Sequence, residues 1–250
     1  MIATMNDASI LQVFVALTFL LAGLVKGLIG LGLPTVAIGL LSLVMTPAQA
    51  AALLVVPSLV TNLWQLAAGP RFLALARRLW PMMLAVCAGT WAGAGLLTDG
   101  GGLARTALGG ALAAYALLGL AAIRLAVPAQ AEPWLSPVIG LATGVVTGAT
   151  GVFVIPAVPY LQALGLDKDE LVQALGLSFT VSTLALAGAL ARGGALDLSA
   201  GAALLTLLPA AGGMLLGQRV RTRTDPRVFR LCFFWGLLVL GAHLAVQGSF

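Results

Sequence analysis

The fold class expected from the sequence is an all-α polytopic membrane protein, built as two inverted five-segment repeats with broken Gly/Pro-rich hairpins. Three observations lead there. Of the 250 residues, 60% are hydrophobic and only 8% charged, whereas about a quarter of a soluble domain's residues carry charge. Lysines and arginines cluster in a few short stretches between long apolar ones, and the second half of the chain echoes the first. Mean hydropathy is +1.07, and no hydrophilic stretch is long enough for a second domain.

Ten apolar segments follow from hydropathy and turn signals, each bounded by a local cue. Segment 9–26 ends at Lys26, Gly27, Gly30 and Gly32 break the chain before segment 33–46, and Pro34 starts that second limb. Segment 48–68 lies between Thr46-Pro47 and Gly69-Pro70. Segments 79–98 and 103–125 are separated by an Asp99-Gly100-Gly101-Gly102 turn. Segments 135–148 and 151–165 form a second broken pair around Gly148, Thr150, Gly151 and Pro156. Segments 171–191, 198–217 and 228–247 close the chain. Most are long enough to cross about 30 Å of hydrocarbon at 1.5 Å per residue; 33–46, 135–148 and 151–165 reach only about 20 Å. Residues 1–9 have neither a basic start nor a small-residue cleavage site, and are read as a short mature tail.

Charge decides the count. If every segment reverses the chain, Lys26, Arg71, Arg77, Arg78, Arg124, Lys168, Arg219, Arg221, Arg223, Arg227 and Arg230 face one side, and only Arg105 and Arg192 the other. Eleven of the 13 basic residues on one side is a positive-inside asymmetry. It predicts a multi-pass protein of the inner (plasma) membrane with arginine-rich loops in the cytoplasm and both termini outside. The net charge of +5 and pI near 10 suit contact with anionic lipid headgroups, not nucleic acid.

A shift of 124 aligns Gln49-Ala50 with Gln173-Ala174, Ser58 with Ser182, Gly69 with Gly193, and Gly89/Gly93 with Gly213/Gly217. With a shorter offset, AGLVKGLIGLGLP matches IGLATGVVTGATGVFVIP. The chain thus divides into a first repeat at 1–126, a Pro-rich linker at 127–134 and a second repeat at 135–250. Five segments per copy make the second copy enter the membrane in the opposite sense, as in secondary transporters.

A Gly-rich first hairpin ending in proline, the small-polar stretches QAAALLVVPSLVTN and QALGLSFTVSTLA, and duplication over nearly the whole chain resemble the sulfite exporter TauE/SafE family, the toluene-sulfonate uptake permeases. The second copy, GVVTGATGVFVIP, is the more similar to the family's G-x-x-x-G-x-G-G-G-x-x-x-x-P pattern; in the first, GLIGLGLPT, leucine stands for a glycine and the proline is closer. The resemblance implies movement of sulfite, sulfonates or related small anions.

Broken helices in a membrane present free N–H groups and a positive dipole end, an anion site without a formal charge. On that reading Gly27, Gly30 and Gly32 with Pro34 from one side, and Gly148, Thr150 and Gly151 from the other, bracket a cavity at the repeat interface. The same glycines fit G-x-x-x-G helix packing, to which Gly89/Gly93 and Gly213/Gly217 are assigned. Lys26 is either a fixed charge for the anion or a chain snorkelling to the interface. Gln49, Ser58, Thr61 and Asn62, with Gln173, Ser178, Thr180, Ser182 and Thr183, supply neutral donors, against the alternative that Ser and Thr bond their own backbone. Trp64, Trp80, Trp91, Trp134 and Trp235 read as interfacial anchors.

All eight acids fall at segment ends or in loops, so no carboxylate relay crosses the bilayer. That disfavours acid-mediated proton coupling and a cation transporter. The lone His243 and loop-confined acids leave no constellation for an intramembrane enzyme. Neither a P-loop nor a dinucleotide fingerprint is present, and no cofactor or metal is expected; Cys87 and Cys232 sit in apolar stretches. The expected partners are a small anionic substrate and membrane lipids, with a homo-oligomer allowed. Secondary or passive transport, in the export direction, is the reading; an ion-coupled uptake permease for a small carboxylate or other anion is its rival.

Overall fold

The computed structural model describes residues 7–99, 101–122, 125–196, 199–221 and 226–248. Arg124, Asp197, Arg223 and Asp225 lie outside the described residues. The chain forms α1 (Asp7–Ile29), α2 (Leu33–Leu41), α3 (Pro47–Ala67), α4 (Phe72–Asp99), α5 (Gly101–Ala121), α6 (Glu132–Thr150), α7 (Ala157–Ala163), α8 (Lys168–Arg192), α9 (Ala200–Val220) and α10 (Pro226–Gln247). Seven of these, α1, α3, α4, α5, α8, α9 and α10, are long and apolar enough to cross a membrane.

The ten helices follow the ten expected segments in order among the described residues, and depart from them most at three places. Helix α2 ends at Leu41, five residues before the expected 46, with a turn over 42–45 leading into α3. Instead of two short limbs, the second broken pair is a 19-residue α6 and a 7-residue α7, joined by the non-helical stretch 151–156. Helix α4 starts at Phe72, seven residues before the expected 79, because Arg77 and Arg78 sit on the helix rather than in a loop.

Local chemistry fixes several ends. Thr46 caps α3 and Asp167 caps α8, each in a capping box with the residue three positions on, Gln49 and Glu170; the pairing satisfies backbone donors reciprocally. Gly151 takes φ +75° and closes α6 in the left-handed region, and Gly30 takes φ +76° just after α1. A residue with a Cβ would be strained at both.

Glycines set the helix pairs. A Cβ on Gly213 would lie 2.8 Å from Leu24 N, and one on Gly27 would lie 2.9 Å from Gln218 N, so α1 and α9 touch backbone to backbone. In the same way Gly89 faces Val145 N at 2.8 Å and Gly148 faces Ala94 N at 2.9 Å, binding α4 to α6. Helix α5 lies antiparallel to α10, with Gly109 and Gly241 against each other's backbones. Small residues of this kind let helices approach where lipid supplies no hydrophobic drive. Gly27 and Gly148, expected beside a cavity, are therefore filled by neighbouring backbone.

The basic side chains gather at one end. Arg71 pairs with Glu170 at 2.8 Å, and Arg78 makes a two-pronged contact with Glu132 at 2.6 and 2.7 Å. Gln218 beside Gly27 and Phe233 beside Gly32 bring the α9–α10 corner to the same end. At the far end, Arg105 donates weakly to Met45 O at 3.4 Å and Arg192 sits 5.5 Å over the Trp91 ring. All five tryptophans are exposed; Trp64 and Trp134 lie near helix ends, while Trp235 is mid-way along α10.

Candidate functional site

The centre of the molecule is the antiparallel pair α3 and α8, which carries eight of the 18 buried polar side chains among the described residues. Pro57 interrupts the α3 hydrogen-bond ladder. Around it the hydroxyl of Thr61 donates to Pro57 O at 2.7 Å, while Ser58 Oγ and Thr183 Oγ1 meet at 3.3 Å across the two helices. Asn62 joins them, its Nδ2 donating to Ser58 Oγ at 3.0 Å and to Thr183 Oγ1 at 3.4 Å.

Lys26 enters this group from α1. It is 4% exposed, so it does not snorkel to the surface. Side chains on a helix tilt toward its N-terminus, which aims the ammonium away from the α1–α2 break and toward the middle of α3. There Nζ donates to Thr61 Oγ1 at 3.1 Å and to Asn62 Oδ1. Among the described residues no carboxylate pairs with it; Glu132 and Glu170 are engaged at the basic end and Asp167 at its cap. Burying a cation costs several kcal/mol unless an opposite charge or many hydrogen bonds offset it. Two neutral oxygens offset part, and one of the three ammonium N–H groups has no partner among the described residues.

The break itself lies one turn further on. Gly30 N bonds Lys26 O at 2.8 Å, and Gln65 Nε2 donates to Gly30 O at 3.0 Å. Gly32, at φ +105°, precedes α2 with no side-chain cap; Pro34 stands in the first turn of α2, and Thr35 Oγ1 donates back to Gly32 O at 3.0 Å. Gln65 sits two residues from the end of α3, so the break is near the basic end rather than at mid-membrane.

The other expected cluster is elsewhere. A Cβ on Gly151 would lie 2.7 Å from Ile38 Cδ1 and 3.2 Å from Ala51 Cβ. Thr150 closes its own helix end, donating to Val146 O at 2.7 Å and accepting from Val152 N at 3.1 Å. Ala51 precedes Asn62 by eleven residues of α3, about 16 Å along its axis. The two broken pairs therefore do not bracket one cavity.

The aligned glutamines also part company. Gln49 is exposed and spends its side chain on the α3 cap, accepting from Thr46 N at 3.0 Å. Gln173 is buried at the basic end and pins the α3–α4 turn: it donates to Leu66 O at 2.9 Å and Gly69 O at 2.6 Å, and accepts from Arg71 N at 2.8 Å. It lines a hollow of about 420 Å3 with Leu63, Leu66 and Phe72. Neither glutamine reaches the Lys26 group. Ser178 and Ser182 are wholly buried one turn apart on α8, with hydroxyls unpartnered among the described residues. They are rotated by at least about 100° from Thr183, away from Asn62. Thr180 bonds its own helix at Gly176 O, 2.7 Å.

The assembled group is thus Lys26, Ser58, Thr61, Asn62 and Thr183, with Gln65, Gly30 and Gly32 next to it. Gln65 was not singled out in the sequence. Its spacing gives it away, since 58, 61, 62 and 65 recur at three and four residues on one face of α3.

Over residues 15–244 the chain matches the family described as Sulfite exporter TauE/SafE. It belongs to that family. A TauE/SafE member is a membrane transporter, in keeping with a multi-pass helical chain whose buried centre holds one cation and neutral donors. No curated protein and no solved structure matches the chain.

Proposed function

We propose that this TauE/SafE member moves a small sulfur-containing anion, sulfite or a sulfonate, out of the cell by secondary or passive transport, and that Lys26 is the charge that binds it. The observation that carries this reading is the buried ammonium held only by the neutral oxygens of Thr61 and Asn62. An anion beside Nζ would supply the missing charge. Export can run down the membrane potential, worth about 2.3 kcal/mol per charge per 100 mV.

In this reading 1–126 and 135–250 are inverted copies joined by 127–134. Matched packing supports the division: Leu24 meets Gly217 as Val145 meets Gly93, and Gly27 meets Gln218 as Gly148 meets Ala94. Each copy's first helix rests on the other copy's fourth, which suits rocking of two bundles about a fixed site. The basic end faces the cytoplasm by the positive-inside rule, with both termini outside; labelling of a cysteine at Arg221 from the outer face of intact cells would contradict that orientation.

Counterflow of labelled sulfite in proteoliposomes tests the function. Wild-type protein should exchange it, Lys26→Arg should retain part of the activity and Lys26→Gln almost none. Full activity in Lys26→Gln would remove Lys26 from the site, and absence of sulfite and sulfonate exchange in the wild type would remove the function.

A further inference from the structure

The charge census around Lys26 limits what the site can hold. Helices α2 and α3 carry no acidic or basic residue. On α9 and α10, the other helices packed against α1, the described charged side chains Arg219, Arg227 and Arg230 are exposed at the basic end, and His243 is exposed near the far end. On α8, which supplies Thr183, the charges Lys168, Asp169, Glu170 and Arg192 all lie in the first or last turn. Lys26 is the single full charge among the buried described residues. The N-terminus of α2 adds at most about half a positive charge, felt within its first turn, and the Lys26 side chain points away from it.

From this we propose that the Lys26 site selects a singly charged anion, such as hydrogen sulfite or a sulfonate, over a doubly charged one such as sulfate. A monoanion beside Lys26 gives a neutral buried pair. A dianion leaves one negative charge without a partner in the same low-dielectric surroundings, where Asn62 Nδ2 and the Thr61 and Thr183 hydroxyls are already committed to protein acceptors. Desolvating that extra charge is the dominant penalty. The inference rests on Lys26 being the anion's partner.

Fixed-charge competitors at one pH separate this claim from the transport claim. Labelled sulfite counterflow by wild-type protein is measured against methanesulfonate, which carries one charge, and sulfate, of similar size with two. Methanesulfonate should inhibit at a concentration at least about tenfold lower than sulfate, and Lys26→Arg, which keeps the single charge, should keep that order. Sulfate inhibiting as well as methanesulfonate, while labelled sulfite still exchanges, would overturn the charge selection and leave the transport reading standing. No exchange of labelled sulfite or labelled methanesulfonate would overturn both.

Discussion

The breaks after α1 and after α6 share a backbone and differ in chemistry. Gly30 and Gly151 have φ of +76° and +75°, and each donates its N–H to the residue four back, Lys26 O at 2.8 Å and Thr147 O at 2.7 Å. Three residues before each break, Gly27 and Gly148 meet a neighbouring backbone. At the position four before the break, however, one has a lysine that reaches across to Thr61 and Asn62. The other has Thr147, whose hydroxyl turns back to Thr143 O at 2.7 Å. The residues 124 positions on from Thr61 and Asn62 are Ala185 and Leu186. The backbone break recurs while the charge does not, so the proposed site would hold an anion from one side only.

The largest expected effect tests that asymmetry. Lys26→Ala should lower sulfite transport by about 100-fold or more, the scale of losing one partner of a buried charge pair, while Thr147→Ala should transport within about twofold of wild type. Equal losses in the two variants would make the site two-sided. Next come the packing glycines. Gly27→Val and Gly148→Val should each destabilise the protein by about 1–3 kcal/mol, seen as lost monodisperse protein in detergent; normal yield with impaired transport would return these glycines to a ligand role.

Hydropathy and punctuation set out the segments and their order because burial in lipid demands long apolar runs. Lys26 was visible because a lysine followed by 44 uncharged residues has no ordinary explanation. Its direction was not, since snorkelling and inward reach use the same side chain. Gly27 looked like Gly30 for a related reason: whether a glycine faces open space or Gln218 N depends on a helix nearly 200 residues away. Gln49 and Gln173 align, yet one sits in an exposed first turn and the other beneath the α3–α4 corner.

Smaller effects sharpen the comparison further. Asn62→Leu would give the first site the side chain found 124 residues on and remove one of the two oxygens that hold Lys26 Nζ in place; with the ammonium no longer positioned, anion affinity should fall about tenfold, the scale of a lost hydrogen bond to a charged group, with KM rising more than the maximal rate falls. An unchanged KM would show that Asn62 does not position Lys26. Gln49→Ala should remove less than about 1 kcal/mol of stability through the α3 cap and leave KM alone; a shifted KM would restore Gln49 to the site.

The most direct test of a buried cation awaiting an anion is the thermal stability of purified wild-type protein and Lys26→Gln, each with and without sulfite. A lysine kept for binding lowers the stability of the empty protein, so without sulfite Lys26→Gln should melt at the wild-type temperature or above it. Saturating sulfite should raise the wild-type midpoint, by linkage worth about 2.7 kcal/mol at a hundredfold excess over Kd, and leave Lys26→Gln unmoved. A variant less stable than wild type when empty, yet stabilised by sulfite to the same degree, would contradict the account.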